Sequence, residues 1–212
     1  MKDLPVFTTQ YGVASLILKE IPYQKTAYII LRDSLEPLAL AGECAAFCRA
    51  CGAERIYATG SNLLTEYPVF TAVWEMSCIR DGIPDTDAAL FPVQKQTLAL
   101  WQDIYNQKVT HVPTGAWMTH ADAEQMINTG DGYFVHREEV LLGIGRVSTD
   151  RIDWAASVVP GAGADVVKAL AHAVTEDRIL LSVASANQKA VQLYEKLGFL
   201  RVAEISKWYQ LR

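Results

Sequence analysis

A basic face is missing from this sequence. Its 212 residues hold 19 Lys and Arg against 24 Asp and Glu, a formal charge of −5, shared between both halves. Recognition of phosphate backbones needs a cationic surface, so a nucleic-acid partner is not expected. No charged tail or linker stands out either. With 50% hydrophobic and 20% charged residues the composition excludes a disordered or fibrous chain, and the length is enough to bury a core. A membrane span is lacking at the N-terminus. In "MKDLPVFTTQYGVASLILKE" the apolar run stops at Lys19 and Glu20, too short to cross a bilayer, and no small-residue cleavage site accompanies it. The expectation is a cytoplasmic protein.

Cysteine is scarce. Cys48 and Cys51 have the CxxC spacing of redox and zinc sites. Yet Cys44, Cys48 and Cys51 fall at i, i+4, i+7, one face of a helix, with no His or further Cys pair nearby to complete a tetrahedral set. The spacing favours structural thiols on a packed face, and no metal is expected.

What is present alternates between strand and helix patterns. After an irregular start, "TAYIIL" reads as a strand and Glu36–Cys51 as an Ala-rich helix closed by Gly52. "ERIYATG" and "FTAVWEMSC" read as further strands around a Pro-containing loop. "RDGIPDT" clusters turn residues and divides the chain into residues 1–85 and 86–212. Beyond it come strand "ALFPV", helix Gln94–Asn106, a helix over Ala121–Ile127 with Thr119 as N-cap, and a hairpin of "GYFVHR" and "LLGIGRVS". Then follow strand "RIDWAASVV", helix Ala164–Val174, strand "RILLSVA", helix Gln188–Leu197 and a last strand in "RVAEISKWYQL". The pattern is mixed α/β, antiparallel first and parallel in the middle. "GAERIYATGSN" weakly echoes "TEDRILLSVASAN", which suggests a degenerate repeat of one βαβ unit.

The most specific signal is "ASANQKAVQLYEKLGFLRV". Asn187 suits an N-cap, Ala190, Val191, Tyr194 and Leu197 form an apolar stripe, and Gly198 ends the helix before Phe199. Asn187, Ala190, Tyr194, Gly198 and Phe199 match an Asn-x-x-Ala-x-x-x-Tyr-x-x-x-Gly-Phe pattern. In this the sequence resembles the GNAT superfamily of acetyl-CoA-dependent N-acetyltransferases, over about Ala88–Arg212. The resemblance implies a central mixed sheet flanked by helices, with two parallel strands that splay to admit the pantetheine arm of CoA. A half-sized, degenerate GNAT-like domain would precede it.

The resemblance also implies roles. Val158 and Val159 would pair with pantetheine through their backbone, and the amide near Val158 would steady an oxyanion. The loop Gly161, Ala162, Gly163, Ala164 would wrap the pyrophosphate at a helix N-terminus. That loop is a poor copy of the family motif: the basic or amide residue is missing, Val166 replaces a glycine, and Asp165 brings a carboxylate. Small residues still permit close approach, and Asp165 also suits the first turn of any helix. Tyr194 would protonate the departing sulfur, or simply pack on its helix. Asn187 caps the helix and would touch pantetheine, as would Ala190. Asp153 is read on one face with Ala155, Ser157 and Val159, as a base acting through water or as a solvated strand-end acid. Glu138, Glu139, His120 and His136 are weaker candidates. Trp101, Tyr105 and Trp117 fall where an amine pocket would lie, though their spacing is also that of core. The function expected is acetyl transfer to an amine of a small molecule or peptide. The alternative is an inactive acyl-CoA-binding or interaction module of the same fold, and a homodimer is left open.

Overall fold

The computed structural model describes residues 5–212; residues 1–4, the start of the N-terminal stretch read above, lie outside it. The chain forms two compact units. One runs through Val73 and takes back Glu204–Arg212, and the other is Trp74–Ala203. No described helix is long and apolar enough to cross a membrane.

In the first unit β1 (Val6–Thr9) and β2 (Gly12–Ile17) form an antiparallel hairpin where the sequence suggests irregular chain. The strands are short, and the signal rests on Gly12: at φ +143° a Cβ there would sit 2.3 Å from the Asp33 carbonyl oxygen. A single turn, α1 (Ile21–Gln24), leads into β3 (Thr26–Ser34), which pairs antiparallel with β2. Helix α2 (Pro37–Ala50) crosses to β4 (Arg55–Thr59), parallel to β3 over five successive pairs from Thr26↔Arg55 to Ile30↔Thr59. The helix buries Leu40, Ala41, Cys44, Ala45 and Cys48 against Leu16, Ile29 and Ile56. The other sheet face carries Tyr28, Tyr57 and Trp208, with Phe70 stacked on Tyr57 at 4.0 Å. Tyr209–Leu211 close the unit as an antiparallel neighbour of β4.

The second unit takes β5 (Val69–Ile79) from Trp74 onward, then β6 (Ala89–Pro92), α3 (Leu98–Val109), α4 (His120–Thr129), β7 (Gly132–Arg137), β8 (Val140–Val147), β9 (Arg151–Ser157), α5 (Gly163–Ala173), β10 (Arg178–Ala184) and α6 (Gln188–Lys196), and β11 (Leu200–Leu211) as far as Ala203. Its strands lie in the order β6-β7-β8-β9-β10-β5. β6 to β9 are antiparallel, and β9 meets β10 in parallel through the α5 crossover, as the alternation predicts. Helix α3 starts later than expected because Thr97 and Gln94 bond to each other in a turn. Thr119 and Asp122 cap α4 reciprocally. One core lies under α5 and α6 and includes Ile152, Val166, Leu170, Ile179 and Phe199. A second lies under α3 and α4 and includes Trp101, Met126, Phe134 and Ile144. Gly143 and Gly145 let β8 press close: a Cβ at Gly143 would lie 2.3 Å from the Ala156 carbonyl oxygen, and one at Gly145 2.2 Å from Leu170.

Cysteine chemistry follows from this packing. Cys44, Cys48 and Cys78 are buried, and Cys51, just past the end of α2, is exposed. Burial pushes the Cys44 and Cys78 thiols up to about 11 and Cys48 up to about 12. Reactivity follows the thiolate, so a thiol-disulfide colour assay is expected to report one fast thiol in the native protein and all four in denaturant. Two fast thiols in the native state would contradict the burial of Cys48.

Candidate active site

Strands β9 and β10 share only two register pairs, Arg151↔Leu180 and Ile152↔Leu181. Both strands continue, β9 to Ser157 and β10 to Ala184, but no longer side by side. The gap between them is a cleft of about 240 Å³, walled by Ile152–Ser157 of β9 and Leu181–Ala184 of β10. Asn187, Ala190 and Tyr194 of the α6 segment and Lys108 and Val112 of the α3 end complete it.

A β-bulge starts the divergence. Arg146 faces Trp154 and Val147 faces Ile152, which leaves Asp153 as the extra residue on β9. Ile152 and Ala155 consequently pack on the α5 side, while Trp154 and Ala156 pack on the α3 side. The strict alternation that would put Asp153 on one face with Ala155, Ser157 and Val159 is broken. Beyond the bulge the Val158 N–H donates to the Leu142 carbonyl at 2.8 Å, and the Val159 N–H points to the same oxygen at 3.4 Å. Ladder bonds alternate along a strand, so Trp154, Ala156 and Val158 turn their N–H groups to β8. Ala155 and Ser157 turn theirs to the open edge. The amides of Val158 and Val159 are thus engaged with β8, and neither residue lines the cleft.

Tyr194 is brought to the cleft by α6, which the Asn187 side chain caps by accepting from the Ala190 N–H at 3.3 Å. Its ring is half-buried beside Phe199, with centroids 5.9 Å apart. Desolvation pushes its hydroxyl up to about 12, so at neutral pH it is held as a proton donor. Asp153 lines the same cleft and stands 3.6 Å from Arg151, which also approaches Glu75 at 3.6 Å and donates to the Ser182 hydroxyl at 3.0 Å. Thus Tyr194, Asp153, Asn187 and Ala190 converge. Glu75, Arg151 and Ser182, which the sequence did not single out, join them around Asp153. Lys108 escaped notice because α3 runs past the expected end at Asn106; carrying the helical period one further turn would have found it.

The Gly161–Ala164 stretch lies apart from this cleft lining. Gly161 takes φ +87°, Ala162 is buried, and α5 starts at Gly163, where a Cβ would come 3.2 Å from Leu193 of α6. The small residues therefore serve helix packing as well as backbone exposure. Asp165 is not a bare charge. Arg137 bonds it at 2.9 Å and Asp87 at 2.7 Å, and Lys168 lies 4.0 Å away. The N–H groups in the first turn of α5 remain a fit for an anion, as does the open edge of β9 for an extended amide chain.

Other candidates lie elsewhere. His120 is exposed beside Glu124, His136 packs against Phe91, and Glu138 and Glu139 form the hairpin turn. Trp101 is fully buried with its N–H on the Tyr133 carbonyl, which is a core role. Tyr105 links it to the cleft residue Trp154, at 4.7 Å between rings. Trp117 lines a separate pocket with Asp103 and Gln107. Among the described residues no group of three or more His, Cys, Asp or Glu could hold a metal.

Residues 159–209 match the family model described as FR47-like protein. The match contains the Asn187–Phe199 segment that carries the GNAT resemblance. No curated protein sequence matches the chain. A functionally unknown conserved protein from Staphylococcus epidermidis ATCC 12228 superposes with TM-score 0.59 at 11% identity, over 98% of this chain and 93% of that one. A GCN5-related N-acetyltransferase from Anabaena variabilis ATCC 29413 gives 0.61 at 12%, over 94% and 59%. A tandem GNAT protein from the clavulanic acid biosynthesis pathway gives 0.54 at 12%, over 94% and 78%. The chain has the GNAT fold, as its final helix indicated.

The raised Tyr194 hydroxyl has a sign that can be checked. Its folded value lies above the ordinary 10, so the folded state holds this proton more tightly, and the resulting stabilisation, full below pH 10, is lost as pH rises through about 12. The tyrosinate absorbance of wild type minus Tyr194→Phe is expected to stay flat to pH 11. A step with a midpoint near 10 would show the hydroxyl to be solvated.

Proposed function

We propose that the second unit transfers an acetyl group from acetyl-CoA to an amine by direct attack. The observation that carries this reading is the open backbone edge of β9 facing a cleft into which Tyr194 projects. Ala155 and Ser157 pair with the amide-rich arm of the cosubstrate, and the first turn of α5 receives its pyrophosphate, with the Asp165 charge partly offset by Arg137, which Asp87 shares, and by Lys168. Acetyl-CoA supplies the thioester. Asp153, directly or through water, takes a proton from the incoming ammonium. The neutral nitrogen then bonds to the carbonyl carbon, and an open-edge amide of β9 donates to the oxyanion. As the C–S bond breaks, Tyr194 gives its proton to sulfur and regains one from the adduct nitrogen or solvent, leaving amide and free thiol.

The magnitudes are compatible. A phenol near 12 is a poor acid toward an ordinary thiolate near 8.5. A thiolate leaving inside the same cleft is desolvated too, however, and its proton affinity rises for the same reason. The first unit, in this reading, is a degenerate copy without an acyl-CoA slot. Its β3 and β4 stay paired to the end of β4, and a short 3₁₀ turn, Asn62–Glu66, follows where the second unit has α6.

Tyr194→Phe is expected to lower thiol release from acetyl-CoA across an amine panel by about 100-fold, with KM for acetyl-CoA little changed. Full turnover by the Phe variant would remove the acid role. A wild-type protein that binds acetyl-CoA yet releases no thiol with any amine would be the inactive binding module instead.

A further inference from the structure

Among the residues lining the cleft, two side chains carry charge, and they are opposite: Lys108 and Asp153. Lys108 stands in the last turn of α3, half-buried, and forms no ion pair among the described residues. The C-terminal end of a helix favours a cation, which accounts for a basic residue in that turn but not for its place on the cleft wall. A half-buried cation without a partner carries a desolvation cost that an incoming anion relieves. Asp153 faces the same space. Its ion pair with Arg151 is long, at 3.6 Å, and the Arg151 hydrogen bond goes instead to Ser182, so the Asp153 carboxylate keeps acceptor capacity for a ligand.

The anion that Lys108 awaits is not the cosubstrate's phosphate. Under the reading above, phosphate lies at the start of α5, and no residue of α5 lines this cleft. Lys108 lines the cleft together with Trp154, Asp153 and Tyr194, so a charge it holds there lies in the same space as the proposed acid and base.

We propose that the acceptor is a small zwitterion of the amino-acid type, its carboxylate held by Lys108 and its ammonium presented to Asp153. This rests on the acetyl-transfer reading and adds a specificity-determining residue to it. Lys108 fixes the carboxylate, Asp153 takes the ammonium proton, and the nitrogen so freed lies between the two charges.

The test compares glycine, alanine and β-alanine with their carboxamides, which keep the amine and lose the negative charge. Thiol release from acetyl-CoA is measured with the wild type, Lys108→Met and Lys108→Arg, alongside direct binding of each compound followed by ligand NMR in the presence of CoA. At least one acid is expected to exceed its amide about tenfold in kcat/KM, the scale of one hydrogen bond to a charged group. Lys108→Met is expected to bring that ratio near one, and Lys108→Arg to keep most of it. A ratio near one in the wild type, or one that survives Lys108→Met, overturns the proposal while leaving acetyl transfer standing. If no compound releases thiol but an acid binds more tightly than its amide in a Lys108-dependent way, the carboxylate site stands and acetyl transfer fails. Equal binding together with no release removes both.

Discussion

Everything at the candidate site depends on two parallel strands parting after two residue pairs. An unpaired backbone group in a buried edge costs about 1–3 kcal/mol, so strands that could continue pairing normally do. Here the outer neighbours hold β9 and β10 apart from their far sides. β8 keeps β9 through a ladder that reaches Val158, and β5 flanks β10. The bulge at Asp153 bends β9 at the point of divergence. Gly143 allows β8 to follow the bend without a side chain meeting the Ala156 carbonyl. The open edge is therefore imposed by its surroundings, and the groups it leaves unpaired are those an extended amide ligand can satisfy.

The first unit shows what the same βαβ arrangement does without that constraint. β3 and β4 have no bulge between them and pair over five successive residues. Their opposite sheet face is filled by Tyr28, Tyr57 and Trp208, with edge-to-face and stacked rings 5.4 and 5.7 Å apart. A continuous ladder and a packed aromatic layer leave no slot. The echo between "ERIYATGSN" and "DRILLSVASAN" thus marks a shared topology. The two arrangements differ at register pairs, which short sequence similarity does not report.

How much of this was legible varies with the kind of interaction. Helix α6 was readable because its signals are local: an N-cap at Asn187, apolar spacing through Tyr194 and a left-handed Gly198 at φ +90°. The fold followed from that helix and from the alternation around it. The hairpin of β1 and β2 was not readable, since four residues of strand carry little pattern. The face of Asp153 was misread because a bulge depends on the partner strand, and period two along "RIDWAASVV" has no way to show an extra residue. Val158 and Val159 were expected at the open edge from the resemblance alone, and their N–H groups turn to the Leu142 carbonyl, a partner that only the folded chain shows. Asp165 read as a bare charge because its partner, shared with Asp87, was unknown. Arg137 lies far away in sequence, and ion pairs of this kind are visible only in the folded chain.

The central claim is that the β9 edge is a backbone docking strip for acetyl-CoA. Hydrogen exchange of the backbone amides over residues 153–157, with and without saturating acetyl-CoA, tests it most directly. The account predicts that Ala155 and Ser157 gain protection on binding while the β3–β4 ladder of the first unit does not change. Binding that leaves both amides as fast as in the free protein, or that protects the first unit instead, would contradict it.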